Sequence, residues 1–278
     1  MPRPKREISE ATLGKLIKEG RGQGEGQNYQ PFIKVQDFSS CGQANRDFGH
    51  TTQRQHDYFN KLEYQCYVVF DYAGLHDIQE QYLIPFEKSV EISNQCGIPH
   101  PIDSTTKKLE PMTTDFRLTI PRPVGSTIAA RAVRRSSKLL VPREVEILEL
   151  ERRCWACDGI DWGIITELDL DPILIKNLKW SYKFRSLKSL CPLPEDMVYR
   201  VSNVLTEMVL AGNSSLSEIA LECDDRLGLE AGRSLKVARY LIATRQWEID
   251  IFHLIKTVEK LSLISVALCA QERRKTGT

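Results

Sequence analysis

No stretch of this 278-residue chain is apolar for long enough to span a bilayer. Its first residues, Met1-Pro2-Arg3-Pro4-Lys5-Arg6, lack the apolar segment of a secretory signal. Both absences point away from export and from membranes, so a cytoplasmic chain with no membrane contact is expected. Net charge is almost missing too, since 38 Lys and Arg offset 37 Asp and Glu. A nucleic-acid partner therefore has to be argued from where the cations fall, not from their total. A second close cysteine pair is lacking as well. Cys154-Trp155-Ala156-Cys157 stands alone among eight cysteines, which removes the usual zinc-site spacing and leaves reduced thiols, this pair inside a helical pattern. Finally, the glycine run at 20–26 has no strand before it and no Lys-Ser/Thr after it. That excludes a nucleotide P-loop and suggests an ordered arm lying against DNA or against the domain.

What is present divides the chain in two. The polar, basic N-terminus leads through a short amphipathic helix, Ser9 to Lys18, into the glycine arm. A helix is expected from His56 to Phe70, with Phe59, Leu62, Cys66 and Val69 at helical spacing. Beside Leu62 stands Glu63, a carboxylate that would need a partner if buried. Alternation marks strands at 78–82, around Phe116 and at 128–133. A charged helix at 142–156 and a buried strand at 162–166 follow. Strands bracketing a helix in this order predict an α/β core with a mixed sheet.

Beyond it lies an acid-free basic run, Lys176, Lys179, Lys183, Arg185 and Lys188, interleaved with Trp180, Tyr182 and Phe184. It suits phosphate contacts and base stacking, or equally a solvated helix face with its aromatics in a core. The rest is mainly helical. Ser215 stands three residues before Glu218 as a capping box, Gly228 interrupts a second helical pattern, and Trp247 to Ile251 alternates like a short strand. Helix, turn, helix and strand form a winged-helix layout, which serves DNA reading or protein docking. The expected boundaries are 1–175 for the α/β domain, 176–191 for a basic linker and 192–278 for the winged-helix-like domain. A basic, mobile tail is expected around Glu272-Arg273-Arg274-Lys275.

One constellation carries chemistry. Asp115 sits in the strand Met112-Thr113-Thr114-Asp115-Phe116, and the next strand ends in Ala132-Val133-Arg134, close to further cations at Arg131, Arg135 and Lys138. Metal-dependent nucleases of the restriction-endonuclease type place an Asp on one strand and Glu/Gln-x-Lys on the next. Phosphodiester hydrolysis with Mg²⁺ calls for hard oxygen ligands that converge on the phosphate. Asp115, Glu63 and the Val133 carbonyl can supply them, with Arg134 stabilising charge on phosphorus.

Several longer blocks raise the specificity of this pattern. Lys18-Glu19-Gly20-Arg21-Gly22-Gln23-Gly24, Tyr29-Gln30-Pro31-Phe32 and Thr51-Thr52-Gln53-Arg54-Gln55-His56 resemble the TnsA family. So do Leu148-Glu149-Leu150-Glu151-Arg152-Arg153 with Trp155, and Ile160-Asp161-Trp162-Gly163-Ile164-Ile165-Thr166. The likeness runs in order over roughly residues 10–180, and more loosely beyond. It implies a restriction-endonuclease-like N-terminal domain, a winged-helix-like C-terminal domain, and a subunit that nicks the 5′ strands at transposon ends. Implied partners are transposon-end DNA, a TnsB-type subunit that cuts and joins the 3′ strands, and a TnsC-type ATPase. Mg²⁺, with Mn²⁺ as substitute, is the implied cofactor.

By position, Glu63 and Asp115 match the family's metal-binding acids. Ala132 stands where the family has Gln or Glu, and Arg134 where it has Lys. Ala132 brings no side-chain oxygen, and Arg134 is permanently protonated, so it cannot act as a base. Lys138, or Glu146 and Glu149 on the following helix, are candidate replacements. His56 is a further phosphate candidate, against a plain surface or capping histidine. Two alternatives stay open: a non-cutting subunit that bridges its partners and DNA, and a winged-helix regulator with an unrelated α/β domain.

Overall fold

The computed structural model describes residues 10–37, 45–103 and 106–267. It divides into two compact units, Met1–Leu170 and Asp171–Thr278. The basic tail around Arg273 lies outside the described residues. Among the described residues, no helix is long and apolar enough to cross a membrane.

The first unit opens with α1 (Glu10–Lys18) and the glycine arm. That arm packs on the domain's own sheet. Gly26 N donates to Asp77 Oδ2 at 2.9 Å and Gln79 Nε2 donates to Gly24 O at 3.0 Å. Gly24 holds φ +89, and a Cβ there would come within 2.5 Å of Asn28 O, so only glycine fits the bend.

A two-stranded antiparallel ribbon follows, β1 (Asn45–Phe48) with β2 (Gln55–Tyr58), and then α2 (Lys61–Ala73). The expected helix at 56–70 therefore starts late. Asn60 caps α2 by accepting from the backbone N–H of Leu62 and Glu63, and the residues before it pair as a strand. The central sheet comprises β3 (Asp77–Leu83), β4 (Thr113–Pro121), β5 (Ser126–Val133) and β6 (Asp161–Ile165) in that order. The β3–β4 and β4–β5 pairs are antiparallel and β5–β6 is parallel, so the sheet is mixed. Helices α3 (Phe86–Cys96) and α4 (Pro142–Ala156) pack together. Ile84, Met112, Ala130, Leu150 and Trp155 form a core between sheet and helices. Strand β6 is an edge strand and only half-buried, against the expectation of full burial, because the sheet ends there.

The second unit starts five residues before the expected boundary, and 176–191 is not an open linker. Helix α5 (Pro172–Ser181) and two short 3-10 turns carry that run. Its lysines are exposed, while Tyr182 is buried and Trp180 and Phe184 pack on the unit's core. Buried Asn177 ties the run down by donating to the carbonyls of Ile251 and His253. Three helices follow: α6 (Glu195–Ala211), α7 (Leu216–Leu227) and α8 (Arg233–Ala243). Ser215 and Glu218 form the expected capping box, and Gly228 ends α7 at φ +65. A short antiparallel pair, β7 (Trp247–Glu248) with β8 (Ser265–Val266), closes the unit over fully buried Trp247.

Candidate active site

Three acids and one cation gather at the end of the central sheet. Asp115 lies on β4, where the β3–β4 register skips it and its would-be partner Gln81. Gln81 takes φ +48, a costly backbone state for a residue with a side chain. That turn aims its amide Nε2 at Asp115 Oδ1, 3.3 Å away, while Thr113 Oγ1 donates to its Oε1. The other carboxylate oxygen, Asp115 Oδ2, accepts from Val133 N at 2.7 Å and from Arg134 Nη1 at 2.5 Å. The same Nη1 also donates to the Val133 carbonyl at 2.8 Å. Asp115, Val133 and Arg134 are thus brought together as the sequence suggests, but as one closed hydrogen-bonded unit.

Glu63 is in the first turn of α2, buried, accepting from Phe59 N at 2.8 Å and Asn60 Nδ2 at 2.5 Å. Burial, and then the negative charge of Asp115, push its carboxyl up to about 8. Glu151 was not among the residues singled out from the sequence. It is 1% exposed on α4, and its Oε1 accepts from Thr114 Oγ1 at 2.5 Å and Trp162 Nε1 at 3.0 Å. Burial and the same Asp115 charge push it up to about 7. A signal for it existed: Leu148, Glu151, Cys154 and Trp155 fall on one helical stripe, so the acid sits on the buried face.

Ala132 is fully buried and brings no oxygen, as its sequence position warned. The proposed replacements do not reach the cluster. Lys138 pairs with Glu144 at 3.1 Å, Glu146 with Arg143 at 2.9 Å, and Glu149 with Arg152 and Arg153. Hydrogen bonds from those two arginines hold Glu149 down at about 2. His56 is neither on the surface nor poised for phosphate. It is fully buried between Thr52 Oγ1 at 2.6 Å and Glu80 Oε2 at 2.8 Å. Arg54 grips the same Glu80 through both guanidinium nitrogens.

The Glu63–Asp115–Glu151 cluster fits a divalent cation on chemical grounds. Its donors are hard oxygens, and three carboxylates face a single guanidinium, so full ionisation leaves excess negative charge that Arg134 alone cannot balance. As placed, the acids hold local partners. Among the described residues, no three His, Cys, Asp or Glu side chains converge as a ready ion cage.

A family model for the TnsA-like endonuclease N terminus matches residues 75–167, and one for the TnsA endonuclease C terminus matches residues 169–251. The transposon Tn7 transposition protein TnsA of Escherichia coli is 28% identical over 246 residues, covering 88% of this chain and 88% of that protein. The chain is a TnsA-like protein. The two matches meet near Leu170, where the structure divides. Asp115, Val133, Arg134 and Glu151 all lie inside the N-terminal match, whereas Glu63 precedes it.

Proposed function

We propose that this chain is the DNA endonuclease subunit of a Tn7-type transposase, nicking the 5′ strands at transposon ends. The observation that carries this reading is the excess of buried carboxylate around Asp115, beside an arginine at the end of the neighbouring strand. In this reading the first unit is restriction-endonuclease-like. Glu63, Asp115, Glu151 and the Val133 carbonyl would hold Mg²⁺ or Mn²⁺. The bound ion supplies Lewis-acid stabilisation and a water activated for attack.

The chain's own groups do the rest. Gln81 and the Val133 N–H orient the Asp115 carboxylate. Arg134 places a fixed positive charge where negative charge develops on the phosphate, and as a permanent cation it takes no proton. Glu63 and Glu151, held high by burial, would have to lose their protons to hold a cation. Glu151 brings a carboxylate to a site whose strand position 132 has none.

The α6–α7–α8 array with the β7–β8 ribbon fits a winged-helix-like module for partner docking. The inner face of α8 is in the core, and Arg239 stacks on Trp180 at 4.4 Å and Phe184 at 5.1 Å. Partners in this reading are transposon-end DNA, a TnsB-type transposase subunit and a TnsC-type ATPase.

The test is strand-resolved nicking of a transposon-end duplex with the TnsB-type subunit and Mg²⁺ or Mn²⁺. Nicks on the 5′ strand that vanish with Asp115→Ala support the reading. A second reading, a non-cutting bridging subunit, draws on Ala132 and on the closed Asp115–Arg134 pair. It expects no 5′ nicks, even from a chain carrying Ala132→Gln and Arg134→Lys.

A further inference from the structure

Resting on the metal-site reading above, we propose that Arg134 is an internal counter-ion that keeps the ion seat closed until DNA draws it away, so that metal ion and DNA bind cooperatively. A single nitrogen, Arg134 Nη1, lies 2.5 Å from Asp115 Oδ2 and 2.8 Å from Val133 O. These are two of the oxygens that an incoming cation needs. A guanidinium and a divalent ion held on these two oxygens would lie within a few ångströms of each other, and as like charges they compete for the place. Asp115 Oδ2 is fully taken, since Val133 N donates to it as well, and Oδ1 holds one longer bond from Gln81 at 3.3 Å.

The pair is also sheltered. Arg134's side chain is 26% exposed and Asp115's 10%, so solvent screens their attraction only in part. An ion that enters alone must therefore break this contact and leave the guanidinium unpaired beside it. DNA changes the balance: a phosphodiester offers the guanidinium fork a new anion. Arg134 then leaves Asp115 Oδ2 and Val133 O to the ion. By linkage, DNA strengthens ion binding by the factor by which the ion strengthens DNA binding.

The test is Ca²⁺ binding to the full chain by calorimetry at fixed ionic strength, with and without a transposon-end duplex, with Asp115→Ala as the blank for ions held elsewhere. Arg135→Gln removes an exposed cation from the adjacent residue and controls for charge alone. Wild type is expected to bind Ca²⁺ weakly, and on the order of 10-fold more tightly with DNA. Arg134→Gln is expected to bind Ca²⁺ alone on the order of 10-fold more tightly than wild type, with most of the DNA-induced gain lost. Arg134→Lys, which keeps a cation for the seat, stays nearer wild type, as does Arg135→Gln. Equal shifts in Arg134→Gln and Arg135→Gln, or an undiminished DNA gain in Arg134→Gln, overturn the proposal while leaving the metal site standing. Absence of any Ca²⁺ or Mn²⁺ binding that Asp115→Ala removes, in wild type and Arg134→Gln alike, overturns the metal reading itself.

Discussion

Two buried polar clusters in the first unit use the same ingredients and differ in their balance. Around Glu80, one carboxylate meets Arg54 on both of its oxygens and His56 on one. Burial alone would raise Glu80, but His56 and Arg54 outweigh it and hold the carboxyl down at about 2. Around Asp115, one arginine pairs with Asp115 alone while Glu63 and Glu151 have only neutral hydrogen-bond partners, and burial wins at those two, which rise to about 8 and about 7. In the first cluster the carboxylate is matched by cationic partners, and His56 and Glu80 tie β2 to β3. The second is short of positive charge, and the proposed ion would supply it. Burial of acids is common to both; charge balance separates structure from chemistry.

The largest effect should fall on the unbalanced cluster. Asp115→Ala is expected to cut strand-specific nicking on the order of 10³-fold or more, measured on end-labelled duplex, with the melting temperature little lowered. The opposite profile is expected for Glu80→Ala. Removing one partner of a fully buried ion pair strands Arg54 and costs about 3–5 kcal/mol in denaturant unfolding. If Glu80→Ala were stable and Asp115→Ala unfolded, the comparison would be reversed.

Glu151→Gln separates the clusters more finely. A folded-state carboxyl raised above its unfolded value of 4.5 stabilises the fold fully below that value, and the contribution is lost as pH rises through the raised value. The metal-free wild type should therefore lose stability between about pH 5 and about pH 8. Glu151→Gln should flatten that fall near pH 7 in thermal melts, and nick on the order of 10²-fold more slowly. The smallest effect expected is in the second unit. Ser215→Ala removes the α7 cap and should cost about 1 kcal/mol in urea unfolding, with nicking unchanged.

Much of the fold could be read in advance because it rests on local rules. The α4 helix, the capping box at Ser215, the stop at Gly228 and the strands around Phe116 and Val133 all follow from periodicity and capping. The start of α2 could not, since the apolar spacing at 56–70 runs straight through a strand and an Asn60 cap. At the site, Asp115, Val133 and Arg134 come together because adjacent antiparallel strands bring their ends side by side. Gln81 left no trace in the sequence, because its role depends on a positive φ that no local pattern announces. Glu151 was legible on the apolar stripe of α4, but Glu146 and Glu149, three residues apart, drew attention to the solvent face instead.

The central claim is that the charge shortage around Asp115 is an ion site. Its most direct test is the thermal shift produced by Mn²⁺ across pH. The stabilisation is expected to grow from about pH 6 to about pH 8, as Glu63 and Glu151 release their protons, and to vanish in Asp115→Ala. A shift of equal size in Asp115→Ala, or none in the wild type at any pH, would contradict it.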